Sequence, residues 1–185
     1  MMEAFMDAVF RLDAFLLLWI QAHLRHPLLN PVMLAITHLG DAGIFWILVT
    51  LALLAFRKTR KIGAACAISM IVGLVATNLI LKNWIARIRP YEVIDGLNLM
   101  IERQRDFSFP SGHTTNSFAA ACVIFGMAPR RYGVPALILA ALISLSRLYV
   151  GVHYPTDVLA GALIGCLAAW AGRRAVCACS QRNDS

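Results

Sequence analysis

The chain has 185 residues, 59% of them hydrophobic and only 15% charged, with a mean hydropathy of +0.69. A water-soluble domain carries about a quarter charged residues, so the composition excludes an ordinary soluble globule and points to lipid as the solvent. The net charge of +7 admits nucleic acid, an anionic membrane surface or an anionic substrate, but the basic residues lie in short clusters between apolar runs, which argues against nucleic acid.

A membrane-spanning helix needs about 20 apolar residues. The first candidate runs from about 4 to 24, with Arg11 and Asp13 interrupting it. Its opening, "MMEAFMDAVFRLDAF", has acids where a cleavable signal needs a basic start. Past Pro27, residues 28–39 predict a short amphipathic piece along the interface. Apolar runs at 42–56, 62–81, 114–128, 132–152 and 158–172 follow. Together these predict an all-α, polytopic membrane protein of about six transmembrane helices, one membrane-embedded domain over residues 1–185 with its core motifs between 82 and 157. Three of the five cysteines fall in apolar runs and two form a C-x-C near the end. That pattern is neither a zinc site nor a disulfide framework.

Charge sets the expected orientation. "RKTRK" at 57–61, "PRR" at 129–131 and "GRR" at 172–174 hold eight basic residues and no acid, which marks them as cytoplasmic. Six spans then put both termini in the cytoplasm. The opposite side carries Arg25, Lys82, Arg87, Arg89, Arg103, Arg105 and Arg147 against six acids, so its cations call for a reason other than topology.

Three clusters supply one. In "KNWIARIRP", 82–90, Lys82 and Arg89 stand seven residues apart, which a continuing helix would place on one face, with Arg87 pointing away. The competing reading is a pair of cations snorkelling at the lipid boundary. In "FPSGHTTNSF", 109–118, Ser111 is a natural N-cap. The helix start it caps presents free amides and a positive dipole end to an anion, with Gly112 admitting a close approach and His113 beside it. An ordinary capped helix competes with that reading. In "SRLYVGVHYPTD", 146–157, Arg147 ends one helix, His153 precedes the next, and Asp157 reaches back four residues to one imidazole nitrogen. A carboxylate there fixes the tautomer and frees the other nitrogen as nucleophile or base. A structural His–Asp bond is the alternative.

The six-span topology brings all three clusters to the outer face of the membrane. Three cations and helix-start amides suit phosphate, and phosphoryl transfer is mostly positioning and charge stabilisation. The sequence offers no carboxylate cluster for magnesium and no Cys/His set for zinc, so no metal or other cofactor is expected.

Ordered as K-x6-R-P, P-S-G-H and S-R-x5-H-x3-D, these stretches resemble the three signatures of the type 2 phosphatidic acid phosphatase superfamily. The resemblance implies His153 as nucleophile, Asp157 as its partner and His113 as general acid. It also implies Lys82, Arg89, Ser111, Gly112 and Arg147 as phosphate binders, and a metal-independent lipid phosphatase. Undecaprenyl diphosphate is the first substrate candidate, then phosphatidylglycerophosphate and phosphatidate. Segment 91–107 is expected to lid the site. A lipid-to-lipid phosphotransferase and a non-enzymatic lipid transporter are the alternatives. Nothing in the sequence fixes an oligomeric state.

Overall fold

The computed structural model describes residues 1–183. In chain order the helices are α1 (Met2–His23), α2 (Asn30–Leu39), α3 (Ile44–Ala55), α4 (Arg60–Leu74), α5 (Lys82–Ile85), α6 (Pro90–Val93), α7 (Gly112–Met127), α8 (Arg130–Tyr149) and α9 (Pro155–Asn183). A 3-10 turn, Asp41–Gly43, joins α2 to α3, and a π-helical stretch, Val75–Leu81, joins α4 to α5. No strand occurs among the described residues.

The centre of the bundle is α7, packed against α4, α8 and α9. Its run Ala119, Ala120 and Ala121 is fully buried, and small side chains there let three neighbours close in. α9 answers with Gly161 and Gly165, one helical turn apart. A Cβ on Gly165 would stand 2.7 Å from both the Phe118 Cβ and the Thr115 carbonyl oxygen. Small residues four apart are a common device for close helix contact in lipid, where hydrophobic burial gives no advantage. The outward face of α9 is the reverse: Leu159, Leu163, Leu167 and Trp170 are exposed at helical spacing, an apolar stripe suited to acyl chains.

Among the described residues, three helical stretches are long and apolar enough to cross a membrane: 60–93, Arg130–Tyr149 and Pro155–Cys179. The α2–α3 pair, bent by 45°, makes a fourth if taken as one broken span. α7 has only 16 residues, roughly 24 Å of helix, short of the hydrocarbon thickness; it is sheathed by its neighbours. α1 is long enough but carries Glu3, Asp7, Arg11 and Asp13. Its partners from Phe10 onward lie at one end of the bundle: Phe10 against Tyr154, Asp13 on Thr156, Leu17 beside Ile94, Leu97 and Leu148, and Gln21 on Gly96.

At that same end α2 docks on α8 through Asn30 to Tyr149 and Thr37 to Arg147. The basic loops gather at the other end, where Arg173 lies against Gly126 and Thr59, Pro129 and Tyr132 border one groove.

Candidate active site

Local sequence rules build two of the three clusters. Ser111 has extended backbone and caps α7, its hydroxyl accepting from Thr114. Gly112 and His113 therefore open the helix. Pro155 starts α9, where its missing N–H costs nothing. His153 lies in the loop before it, and Asp157 in its first turn.

The first cluster forms differently from the periodic expectation. The helix carrying Lys82 does not continue to Arg89. The π-helical stretch shifts its phase, and Ala86, in the left-handed region at φ 47°, ends it. Residues 86–89 run on without helix, tied by the Ser108 amide donating to the Arg87 carbonyl at 2.8 Å. Lys82 and Arg89 meet through a shared partner instead. The Asp106 carboxylate accepts from Lys82 Nζ, and from Arg89 Nη2 at 2.5 Å. Burial works to raise the Asp106 carboxyl, but the two cations overcome it and hold it at about 2.

Arg87 also departs from expectation. It turns inward, with Nη1 donating to Asp157 Oδ1 and Nη2 to Asp13 Oδ2, both at 2.7 Å. Its guanidinium lies 3.7 Å over the Tyr154 ring. Asp13, 1% exposed, also accepts from the Thr156 amide and hydroxyl. The charge that interrupts the first apolar segment is thus the anchor of α1 on the start of α9.

A cavity of about 340 Å³ collects the predicted groups. Lys82, Arg89, Gly112, His113, Arg147 and His153 line it, with Asn78, Gln104, Asp106 and Asn116 between them. Gly112 keeps the wall thin: a Cβ there would meet Asn78 Oδ1 at 3.2 Å. Ser111 and Asp157 are not in the lining; both are fully buried behind it. Asp157 is saturated by Arg87, Ser108 and the Tyr154 amide. His153 Nδ1 lies 3.5 Å from Asp157 Oδ2, within charge attraction but without an aligned hydrogen bond. Its Nε2 lies 3.4 Å from Arg89 Nη1. Burial pushes the His153 imidazole down, Asp157 opposes, Arg89 and Arg147 reinforce, and it comes to rest at about 3. At neutral pH it is an uncharged base.

Arg147 is 1% exposed. Its Nη1 donates to Thr37 at 2.6 Å, while its Nε is buried with no partner. A buried donor left unsatisfied costs about 1–3 kcal/mol, more when charged. Between two histidines and beside two more cations, that arrangement suits a polyanion.

Segment 94–111 borders the site. Leu99, Met100 and Ile101 pack on Tyr149, Val150 and Val152, and Gln104 and Asp106 reach the cavity. A second chamber of about 720 Å³, bordered by His38, Asp41, Glu102 and Gln104, shares His113 with the first. The sequence motifs missed Asp13, Arg87, Asp41 and Asp106. Asp13, an acid in an apolar run, was the one with a local signal, since charges in such runs are functional by default.

The pattern of the PAP2 superfamily matches residues 62–180. The undecaprenyl-diphosphatase of Sulfolobus acidocaldarius is 36% identical over 74% of this chain and 66% of its own length, so this chain spans about two thirds of that relative. Phosphatidylglycerophosphatase B of Bacillus subtilis is 35% identical over 78% of this chain and 73% of its own. Among solved structures, LpxE of Aquifex aeolicus superposes with a TM-score of 0.77 at 29% identity, covering 86% of this chain and 93% of that one. The PAP2-type phosphatidylglycerolphosphate phosphatase of Bacillus subtilis gives 0.74 at 29%, over 90% and 85%. The chain belongs to the PAP2 superfamily, and its relatives place it among that superfamily's membrane-bound lipid phosphatases.

Proposed function

We propose that the protein hydrolyses a lipid phosphate or diphosphate, without a metal, through a phosphohistidine on His153. The observation that carries this reading is the single cavity in which a buried Arg147 with a free Nε faces two histidines, Lys82 and Arg89. The phosphoryl oxygens take Arg147, Arg89 and Lys82, with Asp106 yielding its two cations to the substrate. The α7 start at Gly112, fixed by the Ser111 cap, adds its dipole end.

His153 Nε2 then donates its electron pair to phosphorus and the P–O bond to the lipid breaks. His113 gives its proton to the departing oxygen. As His153 gains charge, its Nδ1–H turns to Asp157, and the 3.5 Å separation shortens to a charge-assisted bond. Water enters, His113 takes its proton, the oxygen attacks phosphorus, and the P–N bond breaks to release phosphate and free His153.

Undecaprenyl diphosphate is the first candidate substrate, supported by similarity to the archaeal undecaprenyl-diphosphatase. Phosphatidylglycerophosphate and phosphatidate follow. The acid-free basic loops at the far end of the bundle argue for a site on the extracytoplasmic face. A cytoplasmic N-terminus, and with it a count of six spans, then requires α1 to cross as well.

Purified protein in detergent with undecaprenyl diphosphate as sole lipid tests the reading. Steady phosphate release that survives EDTA, is inhibited by vanadate and is abolished in His153→Ala is expected. Transfer to a second lipid without phosphate release would favour the transferase, and an active His153→Ala protein would remove His153 as nucleophile.

A further inference from the structure

The turn between α2 and α3 is costly, and it is built around His113. Ala42 stands at φ 49° and Gly43 at φ 68°. A non-glycine residue in the left-handed region costs about 1–2 kcal/mol and persists where the surroundings impose it, most often at functional sites. Here the turn brings Gly40, Asp41 and Gly43 onto the opening of α7. Gly40 lies so near the His113 ring that a Cβ would stand 2.8 Å from its Cδ2. Gly43 lies against the Asn116 side chain, with a Cβ-to-Nδ2 distance of 3.0 Å. Between them Asp41 Oδ1 lies 3.0 Å from His113 Nε2, and its other oxygen 2.8 Å from His38 Nδ1. The general acid of the proposed reaction thus rests on a carboxylate 72 residues away.

We infer that Asp41 is a positioning residue for His113: it holds the ring by its Nε2 and thereby fixes Nδ1 as the nitrogen that exchanges a proton with the leaving oxygen. This rests on the phosphatase reading. An ionised carboxylate only accepts, so Nε2 keeps its hydrogen throughout. Nδ1–H gives its proton to the leaving oxygen as the P–O bond breaks, and Nδ1 later takes one from water. Asp41 does not change protonation; it favours the imidazolium that forms in the resting and product stages. His38 limits where that carboxylate can swing.

The charged and titratable groups that share a cavity with His113 are Asp41 from the turn, His38 from α2, Lys82 from α5, Arg89 and Asp106 from the links on either side of α6, Arg147 from α8 and His153 before α9. Glu102 of segment 94–111 borders the same chamber as His113. Burial pushes the His113 imidazole down, Arg147 and Lys82 reinforce it and Asp41 opposes, so removal of Asp41 should lower further the pH at which His113 loses its proton.

The test compares Asp41→Asn with the parent protein on two substrates. One is an alkyl lipid phosphate, whose leaving alkoxide must be protonated. The other is an aryl phosphate such as p-nitrophenyl phosphate, whose leaving group needs no proton. Asp41→Asn should slow the alkyl substrate by about 10- to 100-fold, the range for an orienting partner, with kcat rather than KM carrying the loss. For the aryl substrate kcat/KM, which ends at departure of the leaving group and so precedes the water step that both substrates share, should change by less than about threefold, and the alkaline limb of the alkyl pH profile should move to lower pH. Asp41→Glu should recover part of the alkyl rate. Equal losses of kcat/KM on both substrates would assign Asp41 a purely structural role, and parental values on both would leave it no role; either result overturns the inference. Retained aryl activity also shows that the variant is folded. If the parent protein itself releases no phosphate from any lipid, the phosphatase reading fails, and that outcome is distinct.

Discussion

Asp13 gives the sharpest test of how this site is supported. Asp13→Ala removes three acceptor contacts: Arg87 Nη2 at 2.7 Å, the Thr156 amide at 3.1 Å and the Thr156 hydroxyl at 2.5 Å. Breaking a buried ion pair by deleting one partner costs about 3–5 kcal/mol. Arg87 keeps its bond to Asp157, and its side chain is 22% exposed, so the lower end applies, about 3 kcal/mol. For a chain of this length each kcal/mol moves the melting point by about 2–4 °C, giving a fall of roughly 6–12 °C. Thermal unfolding in detergent, followed by tryptophan fluorescence, measures it. Asp7→Ala is the matched control on the same helix: Asp7 is exposed, and such a change stays within about 0.5 kcal/mol. Should Asp13→Ala melt within about 2 °C of Asp7→Ala, α1 is not anchored by this pair and the network described here is wrong.

Two further outcomes follow from the charges in the site. Asp106→Asn frees Lys82 and Arg89 from a half-exposed carboxylate that competes with substrate, so KM for a lipid phosphate should fall by about three- to tenfold, equivalent to about 1 kcal/mol; a rise in KM would show that Asp106 positions the cations instead. His153 is held at about 3 against 6.5 for a free imidazole. The unfolded chain therefore binds a proton that the folded one refuses, and stability contributed by the neutral ring falls as pH drops from 6.5 towards 3. His153→Asn should flatten the melting-point slope across that window, measured as Tm against pH in parallel with the parent; an unchanged slope counts against a buried neutral histidine.

The parts of the site legible in the sequence are those settled within a few residues. The Ser111 cap, Pro155 at the start of α9 and the His153–Asp157 spacing all follow from rules about one helical turn. The periodic argument fails where the helix itself departs from period, at Val75–Leu81 and at Ala86. Neither place carries a proline or glycine to announce it. Arg89 nonetheless reaches the cavity, because Asp106 and the Val152 carbonyl draw it there rather than any helical register.

What the sequence hides is the pairing of distant charges. Asp13 meets Arg87 across 74 positions, Arg87 meets Asp157 across 70, and Asp41 meets His113 across 72. The last two pairs join the α5–α6 link to Asp157 and the α2–α3 turn to His113, and the first ties α1 to that link. A strict count of apolar residues treats those same groups as defects that weaken a span. In lipid a buried charge is tolerated only with a partner, so each apparent defect implies a counter-charge somewhere at the same depth. The chain has few enough acids that the search is short. Asp13 and Asp41 lie in or beside apolar runs, Arg87 and His113 stand at the ends of others, and the pairs the structure forms are the ones that leave neither charge alone. The N-terminal helices thus brace the two histidines of the site, α1 through Asp13 and Arg87 and the α2–α3 turn through Asp41.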